Sequence, residues 1–408
     1  MENIELYAQL EKYNQLHLLR YFENISENEK EYLINQLESI DFGILDNYAA
    51  KSVITKRGNI APINVINLDQ IAHNKEIYFN IGIDALKDGK VGAILLAGGQ
   101  GTRLGFDKPK GTLNVGITKK LYLFEILINN LLEVVKMTNR WIHLAIMTSV
   151  NNDRDTQVFF ENHDYFGYDK KYITFFIQDM APAIDYNGKI FLEEKFRVAL
   201  SPKGNGGWFE SLKKTGVLTK LKEDGVEWLN VFSVDNVMQK IADPYFVGAT
   251  INHNCVSGAK VVSKVVPEEK VGTLCLEDGR PSIIEYYEMT NEMLYDKDNY
   301  GRYKYNYGVI LNYLFNIKAI EQKTFDNMPV HMVEKKITYI NDEGEIIKPE
   351  KPNGYKFETL VLDMIHMLDN CLAYEVIRNK EFAPIKNKEG VDSLVSARKI
   401  MLENGKSL

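Results

Sequence analysis

Residues 93–111 read AILLAGGQGTRLGFDKPKG, and how this stretch is read decides the fold. An apolar run of strand character drops into four glycines within eight residues: Gly98, Gly99, Gly101 and Gly105. Arg103, Lys108 and Lys110 follow in the same turn. Glycines after a strand mark a place where something comes close to the backbone. Cations beside them suit an anion. The stretch lacks the GxxxxGK[ST] of a P-loop. Gly99-Gln-Gly101 meets the first half of a dinucleotide fingerprint, but the next glycine falls one residue late. The following apolar strand, WIHLAIMTS (141–149), also lacks the terminal acid that a dinucleotide site uses. A third reading is a nucleotidyltransferase loop, which wraps a nucleotide and holds its phosphates with an Arg and a Lys; a tight surface turn with solvated charges is the plain alternative.

Working outward, LYLFEILINNLLEVV (121–135) has helical periodicity and leads into WIHLAIMTS. Strand, glycine loop, helix and strand make the βαβ unit of a parallel sheet. ITFFIQ (173–178) and WLNVFSVDN (228–236) read as further strands that end in polar residues. Ligands of open α/β sheets sit at the carboxyl ends of the strands. Gln178, Asp235 and the glycine loop are therefore expected at one crevice.

Upstream, residues 1–85 read as a mainly helical region. LEKYNQLHLLRYFE (10–23) carries an apolar face, and Ser26 with Glu29 has capping-box spacing ahead of a second helix. Beyond residue 325 the chain turns lysine-rich, then continues with a helical run, TLVLDMIHMLDN (359–370), and a short strand, LAYEVI (372–377). The expected organisation is an N-terminal helical region (1–85), a central α/β domain (86–325) and a small C-terminal α+β lobe (326–408).

The chain has 408 residues and a net charge of −7, with a pI near 5.7. Such an acidic balance argues against nucleic acid as the partner, while a local basic cluster can still bind a small polyanion. Three cysteines, widely spaced and odd in number, make neither a disulfide framework nor a zinc site. The opening residues lack a signal-peptide pattern, and no apolar run approaches the ~20 residues of a membrane span. The expectation is a cytoplasmic protein without a membrane partner.

Four further segments carry polar residues in suggestive settings. SPKGNGGWFESL (201–212) sets Asn205 among glycines, where its amide suits a base edge; a hairpin turn accounts for the segment equally well. VFSVDN places Asp235 at the end of an apolar strand, the position of a carboxylate that holds Mg²⁺ against phosphates or of a turn-capping Asp. IIEYYEM and YNYGVI present Glu285 and Asn306 among tyrosines, a setting for sugar hydroxyls or simply for exposed strand polars. In KPNGYKFE, Lys351 and Lys356 flank a turn, where lysines are commonly solvated. The seven histidines form no nucleophile pair.

Together these segments resemble the eukaryotic-type UDP-N-acetylglucosamine pyrophosphorylase family over nearly the whole chain. LLAGGQGTRLGFDKPKG is similar to that family's signature loop. GNGG, VDN followed by KIADPYFVG, GAKVV-x-K, VG-x2-C, EY, KKI-x-Y and KPNG-x-K-x-E recur in its order. UDP-glucose pyrophosphorylases carry a different loop and match less well. The resemblance implies a Rossmann-like nucleotidyltransferase (GT-A-like) fold, a mixed sheet flanked by helices. It implies a reaction of UTP with N-acetylglucosamine 1-phosphate that yields UDP-N-acetylglucosamine and pyrophosphate. By resemblance, Ala97, Gly98, Gly99, Gln178, Gly204 and Asn205 hold the nucleotide, and Gly272, Glu285 and Asn306 contact the sugar. Arg103, Lys110 and Lys356 serve the phosphates, and Asp235 binds Mg²⁺, with Mn²⁺ as a substitute. The protein is expected to be a monomer or a weak homo-oligomer.

Residue chemistry agrees with this reading. A sugar phosphate is already an anion, so attack on the α-phosphorus needs no enzyme nucleophile; positioning and charge neutralisation suffice. The chain departs from the family at Lys203, where an acid is usual, and at Val309, where an asparagine is usual. Both changes bear on the sugar's identity. The alternatives are a pyrophosphorylase of broad sugar range, taking N-acetylgalactosamine, glucose or galactose 1-phosphate, and a non-catalytic regulator that binds nucleotide sugars.

Overall fold

The strand ahead of the glycine loop, β1 (Val91–Leu96), is buried at every position, as a parallel strand covered on both faces must be. The computed structural model describes residues 4–49, 57–323 and 328–408. The chain divides into two compact units. The larger comprises Arg57–Ile177, Trp208–Asn327 and Leu362–Leu408; the smaller comprises Met1–Lys56, Gln178–Gly207 and Met328–Val361.

The larger unit is built on one mixed sheet. Its other main strands are β2 (Leu144–Thr148), β3 (Ile173–Ile177), β4 (Trp228–Ser233), β5 (Ser257–Ser263), β6 (Tyr307–Asn316) and β7 (Leu372–Glu375). They lie in the order β7-β5-β6-β4-β1-β2-β3, with Val65–Ile66 outside β7. β4, β1, β2 and β3 run parallel, whereas β6 runs antiparallel to both β4 and β5. A hairpin, Thr273–Glu277 with Arg280–Ile284, joins the flank of β6 through Thr273 and Gly308. Helix Leu123–Thr138 carries the chain from β1 to β2. It buries Phe124, Leu127, Ile128 and Leu131 in the main apolar core. The mixed sheet with flanking helices is the architecture the sequence implied.

Register positions the crevice. Ser233 of β4 pairs with Leu96 of β1, and the Val234 N–H donates to the Leu96 carbonyl at 3.2 Å. The glycine loop and Asp235 therefore leave the sheet side by side, although about 140 residues separate them in sequence.

The smaller unit has its own core of Leu10, Leu33, Leu37, Ile184, Val198 and Phe357, among others. Ser26 and Glu29 form the expected capping box at the start of helix Glu27–Ser39. Two expectations need correction. Residues 10–23 do not form one helix: the first helix ends at Lys12, Asn14 takes a left-handed φ of 56°, and short 3₁₀ turns follow. The units also cut across the consecutive segments 1–85, 86–325 and 326–408. Residues from 362 onward belong to the larger unit because β7 adds in parallel to β5 and helix Leu394–Glu403 buries Ala397 and Met401 beside Val237. The N-terminal helices instead share the smaller unit with 178–207 and 328–361.

Candidate active site

Within the larger unit, the glycine loop is held from beneath by a residue that sequence reasoning missed. The Asn152 side-chain amide donates to the carbonyls of Ala97 (3.0 Å) and Gly99 (3.4 Å), and its oxygen accepts from Ser149 N–H at 2.8 Å. Ala97 N–H is also used internally, donating to Met147 O at 2.9 Å. Ala97 thus sets the loop's position rather than offering a spare donor.

The glycines divide by purpose. A Cβ on Gly101 would lie 2.8 Å from Phe106, so that glycine serves loop closure, and Gly105 serves a left-handed φ of 70°. A Cβ on Gly99 would meet nothing within 4 Å. No internal contact requires a glycine there, which matches close approach of a ligand. Arg103 stands exposed on the turn Thr102–Leu104, with no ion-pair partner among the described residues.

Lys110 and Asp235 meet. The ammonium donates to Asp235 Oδ1, with the two side chains 11% and 26% exposed, so the pair is reachable from solvent. Among the described residues no group of three or more His, Cys, Asp or Glu side chains is set to hold a metal. A single carboxylate at a strand end still fits Mg²⁺, which takes one or two carboxylates and completes its shell with phosphate oxygens and water.

Two more lysines here escaped the sequence reading. Ile385 N–H donates to Asp235 O at 2.9 Å, and Asn236 forms a bridge with Pro384. Exposed Lys386 therefore follows directly on the segment lying along Asp235. A lysine closing an apolar API run was the available signal. Lys264, at the end of β5, is only 8% exposed; its ammonium faces Met289 Sδ at 3.5 Å. Burial pulls its pKa down to about 8. Its backbone N–H donates to Asn306 O at 2.8 Å, which sets it beside a residue expected on the sugar side.

The structure brings Gly272 and Glu285 together: a Cβ on Gly272 would lie 3.4 Å from Glu285 Oε1 and 3.5 Å from Val309 Cγ2. Val309, the departure from the family pattern, thus lines the same small site. Asn306 stands three residues earlier in sequence, half-buried.

In the smaller unit, Gln178 is buried, and the carbonyl of the next residue, Asp179, accepts from Lys203 N–H at 2.9 Å. This sets Gln178 near Gly204 and Asn205. Gly204 has φ 89°, and a Cβ there would lie 2.3 Å from Thr359 O. Asn205 Oδ1 accepts from Val361 N–H at 3.0 Å. Only an oxygen can face that donor, so the orientation of the amide is fixed. Lys356 lies on strand Gly354–Glu358, opposite Val333. Burial, with Lys335 nearby, lowers its pKa. Lys351, by contrast, is exposed.

The chain is similar to several known proteins. The Saccharomyces cerevisiae UDP-N-acetylglucosamine pyrophosphorylase is 34% identical over 92% of this chain and 84% of its own length. The mouse UDP-N-acetylhexosamine pyrophosphorylase-like protein 1 is 33% identical over 94% of this chain and 80% of its own. Among solved structures, the Trypanosoma brucei uridine diphosphate N-acetylglucosamine pyrophosphorylase in complex with an inhibitor superposes with a TM-score of 0.82. It is 26% identical, covering 97% of this chain and 83% of that one. The T. brucei UDP-glucose phosphorylase, at 18% identity and a TM-score of 0.65, shares the fold. Residues 43–406 match the UTP–glucose-1-phosphate uridylyltransferase family, and the chain belongs to it.

Proposed function

We propose that this protein is a uridylyltransferase that joins UTP and N-acetylglucosamine 1-phosphate into UDP-N-acetylglucosamine and releases pyrophosphate. The observation that carries the reading is the Lys110–Asp235 pair where the glycine loop and the end of β4 leave the sheet together. In the reaction, a sugar-phosphate oxygen forms a bond to the α-phosphorus of UTP. The bond from that phosphorus to the bridging oxygen of the β-phosphate breaks, and its electron pair leaves on pyrophosphate.

Arg103 and Lys110 neutralise the triphosphate, and Lys386 adds a third cation on the Asp235 side. Lys110 rests on Asp235 until phosphate offers it a second anionic partner. Gln178, Gly204 and the Asn205 NH₂ form the nucleotide-recognition group of the smaller unit, where Lys356 supplies a further cation. Gly272, Glu285 and Asn306 receive the sugar. Asp235 would hold Mg²⁺, or Mn²⁺ in its place, through its carboxylate, and the bound cation supplies charge neutralisation between the two reacting anions. The remaining contribution is geometric, since two oriented anions need no protein nucleophile.

Val309 favours a second reading, a broader sugar range. An apolar side chain beside Gly272 and Glu285 cannot hydrogen-bond an N-acetyl group, so discrimination for that group is weakened. A regulator without chemistry has no need to retain Arg103, Lys110 and Asp235 together. We place the protein in the cytosol as a monomer or weak homo-oligomer. No helix among the described residues is long and apolar enough to cross a membrane.

Pyrophosphate release from UTP, Mg²⁺ and a panel of sugar 1-phosphates tests the reading. N-acetylglucosamine 1-phosphate should give the highest kcat/KM, and Asp235→Asn should lose most of the turnover while remaining folded. Absence of release with every sugar 1-phosphate would overturn the enzyme reading. Equal release with glucose 1-phosphate would leave only the broader one.

A further inference from the structure

Asp235 and the segment that ends at Lys386 are about 150 residues apart in sequence. Besides the backbone bonds Ile385 N–H to Asp235 O (2.9 Å) and Val237 N–H to Ala383 O (3.5 Å), a buried side chain joins them. Asn236, 2% exposed, donates from Nδ2 to Glu381 O at 2.7 Å, and its Oδ1 accepts from Ala383 N–H at 2.9 Å. One side chain thereby satisfies both backbone groups of the 381–383 turn that neighbouring residues leave unmet. The next hydrogen bond along, Ile385 N–H to Asp235 O, lies on the same ladder.

On the loop side, fully buried Gln239 donates from Nε2 to Ser233 O at 2.6 Å and to Asn236 O at 2.9 Å. The loop that carries Asp235 is thus closed onto the end of β4. Beneath it Lys260, also fully buried, donates to Asp243 Oδ2 at 2.8 Å, to Glu381 Oε2 at 2.6 Å and to Lys240 O at 3.3 Å. Lys260 sits where β5 and β6 lose register: Ala259 pairs with Tyr313 but Val261 with Val309. Such irregularities re-aim side chains next to functional sites.

We infer that Asn236 is a positioning residue: with Lys260 below it, it buckles the Asp235 loop to the Pro384–Lys386 segment and so fixes the spacing of the metal-binding carboxylate and the Lys386 cation. The inference rests on the uridylyltransferase reading for its consequence, but the buckle itself can be tested without activity. Asn236 has no surface to offer substrate, since it is buried and its amide is occupied on both sides. Its effect must pass through backbone placement. A misplacement of the order of 1 Å at a reacting centre costs about 100-fold in rate.

The experiment compares Asn236→Ala and Asn236→Asp with wild type and with Thr250→Val, a control. Thr250 is a fully buried hydroxyl in the same unit that bonds, among the described residues, only to Phe246 O, one turn back on its own helix. In Asn236→Ala, kcat should fall by about 30- to 100-fold, with KM for UTP within about threefold. Amide exchange at Ala383 and Ile385 should quicken at least tenfold. Asn236→Asp keeps the acceptor for Ala383 but sets a second oxygen against Glu381 O, so kcat should fall at least as far as in the alanine variant while exchange at Ala383 stays closer to wild type. It also serves as the test should the alanine variant fail to fold. Thr250→Val should lose melting temperature without the kcat loss. Unchanged exchange at Ala383 and Ile385 would overturn the buckle. A kcat loss that merely follows melting temperature, equal in Thr250→Val, would reduce Asn236 to a structural residue. An inactive wild type would fail the functional reading and leave the exchange result standing by itself.

Discussion

At the scale of single residues, the proposed chemistry rests on cations whose charge the fold does not fully compensate. Lys110 has Asp235, and Arg103 has no ion pair among the described residues. Lys264 is the costly one, because its ammonium is buried against a thioether, a weak acceptor. A folded-state pKa near 8 means that the folded protein binds that proton less tightly than the unfolded chain, whose lysine titrates near 10.5. The sign follows from linkage. Below pH 8 both states are protonated and the burial cost is fully present. Between pH 8 and 10.5 the folded state has released the proton while the unfolded state keeps it, so stability rises and the cost disappears. Lys264→Met should therefore stabilise the protein at pH 7 by on the order of 2 kcal/mol. The advantage over wild type should shrink as the pH rises past 8. Urea melts at pH 7 and 10 check this, and a destabilised variant at pH 7 would refute it. A lysine kept at such a cost beside Asn306 is the kind that serves a ligand.

At the scale of elements, what the sequence made legible and what it hid have separate causes. The βαβ unit was readable because β1 is uniformly apolar and the helix Leu123–Thr138 has a clear 3.6-residue period. Asp235 was readable because a carboxylate that ends an apolar strand stands out. The capping box at Ser26 was readable because its spacing is local. Asn152, Asn236 and Lys264 were not, since each acts through partners distant in sequence or through burial, which a linear pattern does not show. The helix drawn through residues 10–23 failed because apolar periodicity continued across Asn14, whose left-handed φ breaks the backbone. The GNGG turn was half-legible: its glycines were plain, but a hairpin explained them equally well. The structure makes Asn205–Gly207 a 3₁₀ turn that leads into helix Trp208–Lys214 rather than a hairpin, with Gly204 pressed against Thr359 and Asn205 tied to Val361. Gly204→Ala should cost about 2–4 kcal/mol, because it adds a Cβ inside van der Waals range of a carbonyl and forces a left-handed φ. It should also raise KM for UTP several-fold. Calorimetry and initial rates check both, and a fully stable variant would refute the crowding.

At the scale of the whole molecule, the discontinuous units explain why a division by consecutive segments misled. The strand LAYEVI was correctly seen in sequence, but nothing local shows that it adds in parallel to β5. Likewise the N-terminal helices complete a core with residues of the segments 181–198 and 340–357. The acidic net charge coexists with Lys110 and Lys386 beside Asp235, the combination suited to a small polyanion rather than to nucleic acid. The central claim is that UTP is consumed there, cleaved between its α- and β-phosphates by a sugar phosphate. The most direct measurement is ³¹P NMR of wild-type protein with UTP, N-acetylglucosamine 1-phosphate and Mg²⁺. The account predicts loss of both substrates and the appearance of one pyrophosphate for each UDP-sugar. Unchanged substrates, or UDP with inorganic phosphate in their place, would contradict it.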